Sequence, residues 1–263
     1  MSEWQKCKLG EQINLKRGYD LPTRLRTDGC IPIYSSSGIT GFHNKEKCVG
    51  PGVIAGRYGT IGQIFFSKDE YWPLNTTLYV QDFKENHEQF IYYFLQQLDW
   101  EQYNDKSAVP GVNRNDVHQE EISLPPLPEQ KAIAQVLSSL DDKIDLLHRQ
   151  NKTLEAIAET LFRQWFIEEA QDDWEEKSLL DVIQVVNGGT PKTSIPEYWN
   201  GEFFWLSGGD ISSNHKSFII SSAKTITQKG LDHSSAKLLP KFATVITARG
   251  TVGKYALLSK PIG

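Results

Sequence analysis

The sequence has no apolar run of about 18 residues, the length that a membrane-spanning helix needs. No basic stretch followed by an apolar one opens it, so a secretory signal is not expected. Cysteine is scarce: Cys7, Cys30 and Cys48 are an odd number and show no CxxC spacing. That argues against a disulfide framework or a cysteine zinc site, and a reducing cytosol, hence a cytoplasmic location, is expected. The six histidines (His43, His87, His118, His148, His215, His233) contain no HxxxH pair, so no metal site is expected. No residue pattern sets a base beside a nucleophile, and the chain reads as non-catalytic. Adjacent acids such as Asp141/Asp142 and Asp172/Asp173 read as a solvated face. The segment "GRYGTIG" (56–62) spaces its glycines GxxGxxG rather than GxGxxG and no helix pattern follows, so a tight turn between strands is expected instead of a phosphate cradle.

What is present is a soluble, two-domain composition in 263 residues. The formal net charge is −5, but it is unevenly spread. Residues 1–124 carry 13 basic and 16 acidic side chains, 125–173 carry 5 and 10, and 174–263 carry 10 and 7. A locally basic surface is compatible with an acidic whole.

The middle of the chain reads as one long helix. Ile133, Leu137, Leu140, Ile144, Leu147, Asn151, Leu154, Ala158, Leu161 and Trp165 alternate at spacings of four and three. With Leu137 at position a, the d series is Ile133, Leu140, Leu147, Leu154 and Leu161, a coiled-coil seam. Asn151 on that seam is the kind of polar residue that fixes register and partner number. Pro125, Pro126 and Pro128 hold the approach extended, and Pro128 followed by Glu129 suits a first helical turn. From Pro128 to Phe166, about 38 residues would span roughly 57 Å, more than one turn of B-DNA at about 34–36 Å.

The helix is flanked by a repeat. "EWQKCKLGEQINLKRG" (3–18) and "DWEEKSLLDVIQVVNG" (173–188) share Trp4/Trp174, Leu9/Leu179, Ile13/Ile183 and Gly18/Gly188 at an offset of 170. The Trp and Leu pairs read as core anchors. "IPIYSSSGI" (31–39) aligns with "FFWLSGGDI" (203–211), and "GVIAGRYGTIGQIFFS" (52–67) with "ATVITARGTVGKYALLS" (243–259). Arg57 and Arg249 read as equivalents ahead of the glycine turn. A period this long is not a solenoid but a duplicated domain. The expected organisation is a first domain over 1–124, a spacer helix over 125–172 and a second, incomplete domain over 173–263. After Gly253 only ten residues remain, against some sixty after Gly62, among them the helical-looking "FIYYFLQQL" (90–98).

The ordered set of Trp-x4-Leu…Gly, "GGTPKTSIPEYWNGEFFWLSGGDI", the Gly-Thr-Ile/Val-Gly turn, "VPGVNRNDV" and "LPPLPEQ" before a long helix resembles the specificity subunit of Type I restriction–modification systems. The resemblance runs over essentially the whole chain. It implies α+β, β-rich target-recognition domains, each reading one half of a split double-stranded DNA target, with the long helix setting the gap. It implies no catalytic centre or cofactor in this chain; S-adenosylmethionine and ATP belong to the partner methyltransferase and restriction/translocase subunits. It implies no membrane. In the family a second long helix pairs antiparallel with the first. Its absence here predicts self-association, with Leu147 against Asn151, Ile144 against Leu154 and Ile133 against Trp165.

DNA reading needs donors and acceptors for base edges and cations for phosphates. The candidates in the first copy are Arg17, Tyr19, Arg24, Arg26, Ser35, Ser36, Ser37, Arg57, Tyr58, Lys106, Asn113 and Arg114. In the second they are Thr190, Lys192, Thr193, Ser207, His215, Lys216 and Arg249. All fall in expected loops, where recognition residues tend to sit on a rigid scaffold. Two other readings stay open: a coiled-coil adaptor whose β-rich domains bind proteins, and a hydrolase using a carboxylate pair.

Overall fold

Residues 4–103, 111–171 and 173–261 are described by a computed structural model. They divide into two units, Met1–Glu169 and Ala170–Gly263. Lys106 and Asp172 lie outside the described residues.

The first unit runs β1 (Gln5–Lys8), α1 (Leu9–Gln12), β2 (Asn14–Arg17), β3 (Ile31–Ser35), β4 (Gly38–His43), β5 (Gly52–Gly56), β6 (Ile64–Ser67), β7 (Trp72–Pro73) and β8 (Thr77–Asp82). It continues with α2 (Glu88–Leu95), α3 (Arg114–His118), β9 (Glu121–Leu124) and the long helix α4 (Leu127–Arg163). The main sheet has the order β2-β8-β5-β6; β4-β3-β7 form a second sheet and β1-β9 a third. β5 is buried along its whole length, which its sequence GVIAG allows because small residues leave room on both faces. A Cβ on Gly52 would lie 2.2 Å from the Tyr71 ring. One face of the sheet packs with Leu9, Ile13, Leu15, Val53, Leu78 and Val80 against Phe90, Ile91 and Leu95 of α2 and Val117 of α3. His118 closes α3; its Nε2 accepts a 2.9 Å bond from the Leu15 amide. Burial holds that imidazole below its ordinary pKa, with the Arg114 and Lys84 charges adding to the effect.

Helix α4 begins as its sequence dictates: Pro128 lies in the first turn, where its missing N–H costs nothing, and Glu129 complements the helix dipole. Arg163 stands at the other end, and a single wider turn of π geometry, Gln164–Glu168, follows. Ala134 is buried and Ile133 half-buried against the core of the first unit. Beyond them Leu137 and Leu161 are half-buried, while Leu140, Ile144, Leu147, Asn151, Leu154, Ala158 and Trp165 are exposed.

The second unit contains α5 (Leu179–Val182), β10 (Trp199–Trp205), α6 (Gly208–Ser213), β11 (Phe218–Ile219), β12 (Lys224–Ile226), α7 (Gln228–Asp232), β13 (Thr244–Ile246) and β14 (Tyr255–Leu258). Its sheets are β10-β12 and β11-β14-β13. Mixed α and β structure with one long helix between two β-rich regions is the class the sequence pattern implies.

The repeat is also structural. α1 and α5 are single turns closed the same way, by Ile13 N–H to Leu9 O and by Ile183 N–H to Leu179 O, each 3.0 Å. Hairpin β5–β6 pairs Val53 with Phe66, Ile54 with Phe65 and Ala55 with Ile64. Hairpin β13–β14 pairs Thr244 with Leu257, Val245 with Ala256 and Ile246 with Tyr255, the same register. The glycines of the turn share the left-handed region, Gly59 and Gly250 both at φ 71°, Gly62 at 74° and Gly253 at 82°. The turn reading of "GRYGTIG" therefore holds. The core-anchor reading holds for Leu9 alone: Trp4, Trp174 and Leu179 are exposed, and Trp4 donates its indole N–H to Glu129 instead.

Candidate nucleic-acid interface

In the first unit a cleft of about 530 Å³ opens between the end of β2, the end of β5 and the start of α3. Lys16, Arg17, Tyr19, Arg57, Asn113 and Arg114 line it, with one acid, Asp20. The Asp20 carboxylate accepts a hydrogen bond from the Asn75 amide. Among the described residues, none of the four cations stands within ion-pair distance of a carboxylate. Four cations and a single carboxylate, itself engaged by Asn75, leave the cleft with an excess of positive charge that an entering anion would offset.

The cations differ in role. Arg57 donates Nε–H to the Val112 carbonyl at 3.0 Å, while the Val112 amide donates back to the Arg57 carbonyl at 3.1 Å. Its guanidinium stacks on the Tyr58 ring at 4.4 Å, and its Nη1 is buried with no hydrogen-bond partner among the described residues. Arg57 thus spends much of its fork holding the Val112–Arg114 segment against β5. Asn113 accepts from the Asn115 amide at 3.0 Å and caps α3. Arg17 and Arg114 are exposed and unconstrained by side-chain hydrogen bonds among the described residues. Tyr19 is fixed by a 2.8 Å bond between its hydroxyl and that of Tyr79. Lys16 and Lys47 sit over its ring at 5.7 and 4.7 Å. Neither lysine is among the sequence candidates; the doublet "KR" at 16–17, ending a strand, was the available signal for Lys16.

The other candidates are not drawn into this cleft. Arg24 is exposed on a short turn, Thr23–Leu25. Arg26 reaches the carbonyls of Leu21 and Thr40, both at 3.4 Å, and so ties its loop to β4. Ser35 donates to the Gly38 carbonyl at 3.1 Å and accepts from the Ser37 amide at 3.3 Å, building the β3–β4 turn; Ser36 lies in the same turn. In the second unit Ser207 and Asp210 form a capping box at α6, with the Ser207 amide 2.8 Å from the carboxylate. Hydrogen bonds from Ser207 and from the Ala223 amide outweigh partial burial and hold the Asp210 carboxyl below its ordinary pKa. The His215 ring packs on Tyr255 at 5.0 Å, and Lys216 takes a left-handed backbone, φ 62°. Thr190, Lys192, Thr193 and Arg249 are exposed.

The hairpin register corrects one equivalence. Gly62 N–H bonds to Gly56 O and Gly253 N–H to Thr247 O, at 3.1 and 3.0 Å. Gly59 therefore matches Gly250, so Arg249 occupies the place of Tyr58, and Arg57 that of Ala248. The insertion-free register of the paired strands, not the nearness of an arginine to the turn, decides the match.

The sequence profile of the Type I restriction modification DNA specificity domain matches residues 1–156 and 171–262. The chain belongs to this family. It is 31% identical over 104 residues to the Type I restriction enzyme MjaIX specificity subunit of Methanocaldococcus jannaschii, over 40% of this chain and 24% of that protein. It is 21% identical over 224 residues to the HindI specificity subunit of Haemophilus influenzae, over 58% of this chain and 48% of the relative. The matched region thus spans at most about half the length of these two relatives. Among solved structures, the S subunit of a type-I restriction–modification system from M. genitalium superimposes with a TM-score of 0.63 at 18% identity, covering 98% of this chain and 69% of that one. That likeness shows the fold; the first segment of the family match runs into the long helix as far as residue 156, and the second begins at 171, after it.

Proposed function

We propose that the chain is the DNA sequence-specificity subunit of a Type I restriction–modification complex. In this reading residues 1–124 and 173–263 are the two target-recognition domains, each for one half of a bipartite target, and 125–172 form the spacer. The chain recognises; methyl transfer from S-adenosylmethionine and ATP-driven restriction are supplied by methyltransferase and restriction/translocase subunits in the cytoplasm. The observation that carries the proposal is the cleft of Lys16, Arg17, Arg57 and Arg114, four cations with no ion-pair partner among the described residues, in a chain whose net charge is −5. Family membership supports duplex DNA as that anion. Arg17 and Arg114 have the freedom to meet phosphates, whereas Arg57 and Tyr58 hold the loop that delivers Asn113 and Arg114. The exposed face from Leu140 to Trp165 is where a second long helix, from another chain or from elsewhere in the polypeptide, is expected to pair.

The test is binding of duplex DNA by the assembled methyltransferase over a salt series. A steep log–log dependence that Arg17→Ala and Arg114→Ala each reduce by about 0.9 supports phosphate contacts by these two residues. A slope indifferent to both variants overturns the assignment of the cleft.

A further inference from the structure

At the root of α4 a polar side chain is buried where the sequence pattern alone gives no reason for it. Gln130 is 3% exposed, and its amide is fully used. Nε2 donates to Asn86 Oδ1 at 2.8 Å and to the Pro125 carbonyl at 3.0 Å, and Oε1 accepts from the His87 amide at 3.0 Å. Asn86 is also buried and passes the connection on, donating to the Gln12 carbonyl at 2.8 Å. Lys84 closes the ring by donating to the Gly10 and Glu11 carbonyls at 2.9 and 2.7 Å. One network therefore joins the end of α1, the β8–α2 loop, the β9–α4 turn and the first turn of α4.

Further along the helix the attachment ends. Ala134 is buried in the core, and Tyr93 of α2 donates to the Asp141 carboxylate at 2.7 Å. From 142 to 163 every residue is exposed except the half-buried Leu161. Beyond Asp142, whose exposed carboxylate pairs with Lys68 at 3.7 Å, the helix as far as Arg163 forms an arm of roughly 32 Å. A slack of about 10° at its root would carry its tip about 6 Å, close to two nucleotide steps of about 3.4 Å. Apolar packing alone tolerates small rotations, because it is not directional; a satisfied buried amide has one geometry.

We propose that Gln130, through Asn86, is a positioning residue that fixes the angle at which the spacer helix leaves the first recognition domain, and thereby the gap accepted between the two half-targets. The inference rests on the proposed function for its consequence, but the clamp has a readout of its own. The experiment is methylome sequencing of cells expressing the full polypeptide with its methyltransferase, for wild type, Gln130→Met, Asn86→Ala and the core variant Val80→Ala as a stability-matched control. The expected result is that Gln130→Met and Asn86→Ala keep both half-site sequences but raise methylation at gaps one base pair longer or shorter by about tenfold, while Val80→Ala keeps one gap. A single unchanged gap in both clamp variants, or the same broadening in Val80→Ala, overturns the proposal. In the purified chain, Gln130→Met is expected to speed amide exchange at His87 by about tenfold with the rest of α2 unchanged; unaltered His87 exchange also overturns the clamp. A wild-type methylome without a split motif overturns the proposed function instead, and the exchange measurement still decides the clamp.

Discussion

The two copies of the repeat share local structure and differ in what covers it. Leu9, Ile13 and Leu15 are each 0% exposed, whereas their counterparts Leu179, Ile183 and Val185 are 66%, 46% and 64% exposed. The helical turn and its closing hydrogen bond are the same in both. In the first copy β2 pairs with β8, and α2 and α3 complete the core; in the second, residues 183–186 form no strand and pair with none among the described residues. Gly62 faces Trp100 across what would be a 2.6 Å contact to a Cβ, while Gly253 has nothing within 4 Å. A repeat is thus enough to fix a turn or a hairpin, but burial of its apolar residues depends on segments far away in the chain.

Matched substitutions sharpen that contrast. The largest effect is expected for Ile13→Ala, which opens a cavity in a sealed core and costs about 2–5 kcal/mol, against under about 0.5 kcal/mol for Ile183→Ala. Chemical denaturation of both variants, followed by tryptophan fluorescence and by far-ultraviolet dichroism of the whole chain, measures the pair; equal costs would dissolve the comparison. Next come the turn glycines. Gly253→Ala forces a side chain into the left-handed region, at about 1–2 kcal/mol, and Gly62→Ala adds displacement of Trp100, so its cost should exceed that of its counterpart. Thermal melts of the two variants give the order.

A smaller effect belongs to Arg249. If the second copy also contacts phosphate, Arg249→Ala lowers the salt slope of the assembled complex by about 0.9, as Arg17→Ala does in the first. An unaltered slope removes Arg249 as a phosphate contact.

The smallest is a pH dependence carried by the first unit. His118 has its pKa depressed below the ordinary 6.5, so the folded state favours the neutral ring that accepts the Leu15 amide. Above pH 6.5 both folded and unfolded forms are neutral and the stability is whole; as pH falls below 6.5 the unfolded chain takes up the proton first, and stability declines toward the depressed pKa. Denaturation midpoints between pH 7.5 and 5 should fall for wild type and fall less for His118→Gln. A parallel decline in both would remove His118 as the cause.

The candidate site was legible in part. Arg17, Tyr19, Asn113 and Arg114 could be named from residue chemistry and expected loops, and one cleft gathers them, although Arg17 ends β2 and Arg114 opens α3 instead of lying in loops. Arg26, Ser35 and Ser207 carry the same chemistry and are committed to their own turns. Nothing in one sequence separates these two groups, because Ser and Arg serve a nearby carbonyl as well as a phosphate. Lys16 lies inside β2, where an expectation built on loops has no reason to place a recognition residue, yet it lines the cleft. Lys47 escaped for another reason: it comes to Tyr19 from a loop 28 residues further along.

By itself the sequence determined whatever is local or periodic. It set the apolar seam of α4, the proline-led start of that helix, the left-handed glycines of the turn, and the register of a hairpin written twice. These follow from backbone sterics and from side-chain periods of 3.6 and 2, which act within a few residues. Tertiary structure decided which copy is sealed, that Arg57 holds a loop, and that Gln130 of the helix grips Asn86 of a distant turn. Burial and convergent hydrogen bonds join residues tens of positions apart, and their meeting depends on the whole path of the chain between them.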